Sequence, residues 1–303
     1  MRKTMNLIVA VLLAAMPLTG VFGQKVKRTI TRIGGSESSE KVAIDTVKYN
    51  VTYSAKVMND AVALGQKTMA NPYKDDEMAL EIGSHSSHFY STVDVEMKKQ
   101  LREMIEKGSI NMVGMRRSAI QWHVYKNYPE GWDLYVDPQG GEGYRVEETT
   151  EVPEWTIVSD STATILGYNC TMATSNYKGR TWKAYYTEDI PIDNGPWKLC
   201  GLPGLIMKAY DCENHYIFEA IGMKQVEDVQ PIAYDPSYDK YEKMSMKDLT
   251  ELKSKQTPES MMAALGLDAS NMIVKSYDAN GNETTDDTKK MLKRVSPYNP
   301  IER

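Results

Sequence analysis

The chain has 303 residues, of which 41% are hydrophobic and 25% charged, with a net charge of −5 at neutral pH. That balance is globular rather than disordered or fibrous, and the length allows a sizeable core. Beyond the first residues no block of Lys and Arg stands out, which excludes a nucleic-acid footprint.

The chain begins Met1-Arg2-Lys3-Thr4-Met5-Asn6, continues with an apolar run from Leu7 to Met16, and passes Pro17 to reach Val21-Phe22-Gly23. A charged start, a short apolar stretch and a small residue before the cut form the pattern of a secretory signal peptide over residues 1–23. The apolar run is about half of the ~20 residues that a bilayer span needs. Gln24, not Cys, follows the expected cut, so no lipid-anchored N-terminus is expected. No later segment is long and apolar enough to span a membrane, and the expected product is exported, to the periplasm, the outer membrane surface or the medium. In such an oxidising compartment Cys170, Cys200 and Cys212 read as disulfide candidates. Their spacings resemble no zinc or thioredoxin-type site.

Residues 24–45 are rich in Lys, Arg, Ser, Gly and Glu without periodicity and read as a flexible lead-in. The β domain is expected over 46–230. Val47, Tyr49, Val51, Tyr53 and Ala55 alternate with polar residues, as in a half-buried strand. Further strand signals lie at Met78–Ile82, at His88–Tyr90, at Ser118–Tyr125 and around Trp132–Val136. Between Val93 and Lys107 the spacing of Val95, Met97, Leu101, Met104 and Ile105 predicts the main helix. Asp137 to Val152 reads as a loop. Strands then follow at Trp155–Val158, Gly167–Thr174, Arg180–Tyr186, Leu205–Tyr210 and Tyr216–Met223. The last four have connections that suit an antiparallel meander rather than parallel crossovers. Residues 231–303 read as an appendage: two short helices between Met246 and Leu265, broken at Thr257-Pro258, then a poorly packed polar tail from Ser276.

Candidate chemistry is sparse. His85 and His88 are close in sequence, but strand spacing puts them on opposite faces with no Cys or His partner nearby, so no metal is expected. His123 and His215 stand alone, and no catalytic elbow, metalloprotease helix or phosphate loop occurs. No cofactor and no catalytic residue is assigned.

One segment stands apart. Residues 193–196, Asp-Asn-Gly-Pro, are a turn sequence, and Leu202-Pro203-Gly204 suits a type II turn. The loop between them should be rigid and should hold Trp197, either as a binding anchor or, the preferred reading, as a plug in one end of the sheet. The hexapeptide Gly201-Leu202-Pro203-Gly204-Leu205-Ile206 is the motif of the GLPGLI family of exported Bacteroidetes proteins. The chain resembles that family from about Asp45 to Val226. Gly167-Tyr168-Asn169-Cys170, Gly179-Arg180, the Trp182 to Thr187 stretch, Ile190-Pro191-Ile192, Gly195-Pro196 and Asp211 extend the match. The resemblance implies an envelope protein and carries over no catalytic residue; Cys200 departs from a position that is often aromatic.

The fold expected is mainly β (α+β): a curved antiparallel sheet or half-barrel, by analogy with periplasmic lipoprotein carriers, with one main helix and a helical C-terminal appendage. Two functions stand. One is a binding or accessory module of the cell envelope, engaging an apolar ligand or an outer-membrane partner, with Trp197 and residues Gly201, Leu202, Pro203, Gly204, Leu205 and Ile206 as its binding site. The other is an envelope hydrolase with a spatially assembled site. Strand directions put Cys170 and Cys200 at one end of the meander and Cys212 at the other. The first and third strands would be ~9.5 Å apart, but the loop carrying Cys200 can fold back, so a Cys170–Cys200 disulfide is expected. Closing about 30 residues, it would contribute ~3 kcal/mol.

Overall fold

The structure is a computed structural model that describes residues 40–66, 71–107, 115–139, 142–260, 276–277, 283–284 and 292–303. The signal-peptide reading and most of the lead-in lie outside these residues. In chain order the elements begin with β1 (Val42–Thr46), β2 (Tyr49–Met58), the short helix α1 (Asp60–Ala63), β3 (Tyr73–Ile82), β4 (Ser87–Ser91) and α2 (Thr92–Glu106). Next come β5 (His123–Lys126), β6 (Trp132–Gln139), β7 (Glu142–Thr149), β8 (Thr156–Ile165), β9 (Tyr168–Tyr177) and β10 (Arg180–Thr187). They are followed by β11 (Leu205–Asp211), β12 (Tyr216–Gln225), β13 (Pro231–Tyr234), a 3-10 turn (Pro236–Lys240), β14 (Glu242–Lys243) and α3 (Met246–Ser254).

Twelve strands form one open sheet in the order β14-β7-β6-β5-β4-β3-β2-β12-β11-β10-β9-β8. All its pairings are antiparallel except that of β14 on β7. The sheet is thus two meanders, β2–β7 and β8–β12, joined where β2 pairs with β12.

The connection between β7 and β8 forces this sheet to curl. They stand ten strand spacings apart in the sheet, ~48 Å if it were flat. Yet only residues 150–155 join them, a reach of ~20 Å. The contacts agree: Tyr177, at the end of β9, donates its hydroxyl to the Glu151 carbonyl at 3.1 Å, and Lys178 reaches Glu148 of β7 at 3.5 Å. The two margins approach without pairing, so the barrel stays open.

Strict alternation fills the inside of the curl. Val51, Tyr53, Ala55 and Val57 of β2, Trp182, Ala184 and Tyr186 of β10, and Tyr216, Phe218 and Ala220 of β12 all belong to the main core. On the outer face of β5 and β6, Tyr125, Leu134 and Val136 form a smaller core with Tyr234, covered by the antiparallel β1–β13 pair and the 3-10 turn.

Several expectations need correction. Residues 142–149 are not loop: Tyr144 and Val146 alternate with Arg145 and Glu147, and the segment forms β7 against β6. The strand expected from Ser118 starts only at His123. Residues 42–45, assigned to the lead-in, form β1 with Thr46 and pair with β13. The appendage contributes β13 and β14 to the body and one described helix, α3; the part of the second expected helix beyond Ser260 lies outside the described residues. Residues 292–303 are not poorly packed. Leu292, Asn299, Ile301 and Glu302 are buried, because Arg180 and Lys198 inside the sheet supply partners for polar groups that composition alone assigns to solvent.

Candidate functional site

The loop from Ile190 to Gly204 enters the curl between β10 and β11. Its backbone is tied to itself, with Leu205 N donating to Ile190 O at 3.0 Å and Ile206 N to Asn194 O at 3.0 Å. It is also tied to its surroundings. Lys126 at the end of β5 donates Nζ to Gly195 O at 2.7 Å and to Leu199 O at 3.3 Å. Trp155 Nε1 donates to Cys200 O at 2.7 Å, while within the loop the Asp193 carboxylate accepts from Gly201 N.

Trp197 has no exposed surface and sits in the left-handed backbone region at φ 55°, held by the rings of Trp182 at 5.4 Å and Tyr177 at 5.6 Å. It is a core residue, as the plug reading has it. The hexapeptide has the same logic. Leu202, Leu205 and Ile206 are buried, Gly201 is half-buried and Pro203 is exposed. Gly204 is required because any side chain there would overlap the Thr187 carbonyl. Gly201 has φ +88° and lies against Val152, two reasons against a side chain. The buried residues of the motif thus seal the loop into the sheet, and Pro203 faces solvent.

What remains open to solvent lies on the outer flank of this loop. A cleft of about 320 Å³ is bounded by the 83–87 turn, the 126–133 turn and loop residues Ile192, Asp193, Asn194 and Cys200. Each wall is fixed. The Asp45 carboxylate of β1 accepts from His85 N at 2.7 Å and Ser86 N at 2.9 Å, shaping the first turn. Asp133 accepts from Asn127 N at 3.1 Å and from the Thr150 hydroxyl at 2.9 Å, shaping the second. Ser86 donates its hydroxyl to the Asn127 carbonyl, and Ser87 accepts from the Asn194 amide at 3.1 Å. Those hydroxyls join the walls together. Burial pushes the Lys126 ammonium down to about 8, against the pull of Cys200, Asp133 and Asp193. Burial likewise pushes the Cys200 thiol up to about 11, so it is not a ready nucleophile at neutral pH.

The histidines do not all stand alone. His88 of β4 and His123 of β5 stack at 5.3 Å, with Nε2 and Nδ1 3.1 Å apart, flanked by the rings of Tyr125 and Tyr238. Burial lowers the pKa of both, His123 strongly, so the pair is neutral near pH 7. Sequence spacing missed this pair because the intervening helix α2 separates residues that neighbouring strands bring together. Asp211, Glu213 and His215 have a metal-like spacing, but two guanidinium groups already fill the space. Arg180 lies 2.7 Å from Asp211 and 3.3 Å from His215 Nδ1, and Arg303 lies 2.5 Å from Glu213. The three cysteines are free thiols, Cys170 buried, Cys200 half-buried and Cys212 exposed, so the expected Cys170–Cys200 bond is not formed in the structure. Among the described residues no helix is long and apolar enough to cross a membrane.

Residues 176–208, which hold β10, the loop and the hexapeptide, match a family described as a protein of unknown function (Porph_ging). No curated protein sequence matches the chain. Among solved structures, PNGF-II in a P21 crystal form is 15% identical with a TM-score of 0.45, over 68% of this chain and 33% of that one. A second form, in C2, gives 16%, 0.44, 68% and 32%. The Pseudomonas aeruginosa MucA/MucB complex gives 7% identity and a TM-score of 0.28, over 69% of this chain and 58% of that one. The chain thus spans about a third of the PNGF-II chains it matches.

Proposed function

We propose that the protein is an exported binding or accessory protein of the cell envelope, and that its ligand enters the cleft beside the 190–204 loop. The observation that carries this reading is a cleft of about 320 Å³ whose three walls come from distant parts of the chain and are locked together by Ser86, Ser87, Asp133 and Lys126. A preformed cleft loses little entropy on binding. Its lining sets Ser84, His85, Asn127, Asp133, Asp193 and Asn194 beside the apolar Ile82, Val152 and Ile192, which suits a ligand with an apolar body that also carries hydroxyl or amine groups. The buried Trp197 then acts as support for the cleft and not as contact surface. The hydrolase reading stands second, because Ser86 and Ser87 engage a carbonyl and an amide where a nucleophile would engage a base.

The test is a substitution that fills the cleft without touching its supports. Ser84 is exposed at the rim, so Ser84→Trp should leave thermal unfolding unchanged and abolish capture of the molecules that the unaltered protein retains from a native envelope extract, identified by mass spectrometry. Equal capture by both proteins would remove the cleft from the reading. A retained molecule turned over on incubation would favour the hydrolase.

A further inference from the structure

At the opposite end of the β9–β12 meander, residues 298–303 (Tyr-Asn-Pro-Ile-Glu-Arg) lie inside the curl, and none of them belongs to a strand. Side chains of the body make most of the contacts. Arg180 donates Nε to Ile301 O at 2.9 Å and Nη2 to Asn299 Oδ1 at 3.0 Å and to Pro300 O. Tyr216 donates its hydroxyl to Asn299 O at 2.8 Å. Three successive backbone carbonyls are thus read by two side chains. Ile301 enters the main core, Lys198 meets the Glu302 carboxylate at 2.7 Å, and the Arg303 amide donates to Lys178 O at 3.0 Å. The Gly179 turn lets the Arg303 carbonyl approach, since any side chain there would overlap it.

Two of the recognising groups also have partners in the body of the protein. Arg180 keeps Asp211 at 2.7 Å, and Lys198 keeps Glu148 at 2.8 Å. Elements next to the segment also carry buried donors without a partner among the described residues, and Asn299 Nδ2 of the segment itself is another. The Trp182 and Trp197 indole N–H groups and the Ser175 hydroxyl are buried without a partner among the described residues. Trp182 is two residues from Arg180 on the same face of β10, Ser175 is its partner on β9, and Trp197 adjoins Lys198. Unpartnered buried donors on neighbouring elements call for a reason.

We propose that this is a peptide-recognition cleft, that residues 299–302 fill it in cis, and that in trans it takes an extended segment of a partner protein in which an aliphatic side chain is followed by a carboxylate. Backbone carbonyls read by fixed donors supply affinity, while the Ile301 pocket and Lys198 supply specificity. The inference does not need a ligand in the cleft beside the 190–204 loop, although Lys198 belongs to that loop.

The experiment uses the full chain with a specific protease site inserted after Asp287, so that cutting leaves residues 298–303 in place but untethered. The probe is a fluorescent Tyr-Asn-Pro-Ile-Glu-Arg peptide followed by anisotropy. The cut protein should exchange its segment for the probe with saturation, and the uncut protein should bind at least tenfold more weakly, because a tethered competitor acts at millimolar effective concentration. A probe with Lys in place of Glu, or the Lys198→Met protein, should bind at least tenfold more weakly than the matched pair. A cut segment that never exchanges, a body that unfolds when the segment leaves, or a probe indifferent to its carboxylate would each overturn the proposal. Dimers held by exchanged segments would assign the cleft to a second copy and end the case for a separate partner.

Discussion

The 190–204 loop and the 298–303 segment fill the same curled sheet by opposite means. The loop is held by apolar burial and backbone fit: Trp197 and Leu199 have no exposed surface, and Gly204 lies where no side chain can. The segment is held by Arg180, Lys198 and Tyr216, which read its carbonyls and its acid. Both regions bury side chains inside the sheet, so burial alone does not separate a piece of core from a docked peptide. What separates them is how the penalty for damage grows, since a core residue loses its full packing energy whereas a docked segment loses no more than its docking energy.

That difference can be broken at its strong end. Trp197→Ala should cost about 3–5 kcal/mol in urea unfolding, as truncation of a large buried side chain does. A loss under 1 kcal/mol would mean that the indole does not close the sheet. Gly204→Ala should cost about 3 kcal/mol, the upper range of overpacking, because the obstacle is the Thr187 backbone and not a side chain that can swing away. A normal melting curve for that variant would remove the packing explanation of the hexapeptide.

The weak end is Ile301. Were it fixed core, truncation to Ala would cost about 2–5 kcal/mol and an aspartate there more. If the segment undocks locally, both Ile301→Ala and Ile301→Asp should stop at the same value, below about 2 kcal/mol, while the amides of 298–303 lose hydrogen-exchange protection and those of β10 keep theirs. Distinct penalties for the two variants would place the segment with the loop.

The pH dependence of stability probes the outer face, away from both regions. The unfolded chain protonates His88 and His123 near pH 6.5, whereas the folded pair titrates lower because burial disfavours its charge. Below about pH 6.5 the unfolded state therefore binds more protons, and stability should fall by up to ~1.4 kcal/mol per pH unit for each histidine until the folded values are reached. Urea midpoints from pH 7.5 to 5 check this, and His123→Gln should flatten the slope.

Legibility followed the chemistry of each region. The β9–β12 meander could be read because its strands alternate and turns such as Lys178-Gly179 are short. The rigidity of the 190–204 loop was readable in Asp193-Asn194-Gly195-Pro196 and Leu202-Pro203-Gly204, but the cleft beside it was not, since its other walls come from residues 83–87 and 126–133. β7 was missed because the glycines before Tyr144 looked like loop. The packing of 298–303 was invisible because Asn299 and Glu302 are polar, and the partner that buries the first, Arg180, lies 119 residues away. The His88–His123 pair, 35 residues apart, was hidden in the same way.

The joint between the two meanders has a consequence for how the chain folds. Within each meander neighbouring strands are also close in sequence, so each can form by short closures. β2 is different: one of its edges pairs with β3 and the other waits for β12, whose residues 216–225 come more than half a chain later. In a polypeptide made from its N-terminus, the Tyr49–Met58 edge stays unpaired until nearly all the sheet has been synthesised. That edge, with Val51, Tyr53, Ala55 and Val57 on one face, is an aggregation-prone intermediate surface, and closing it is the step at which a holding chaperone would matter most.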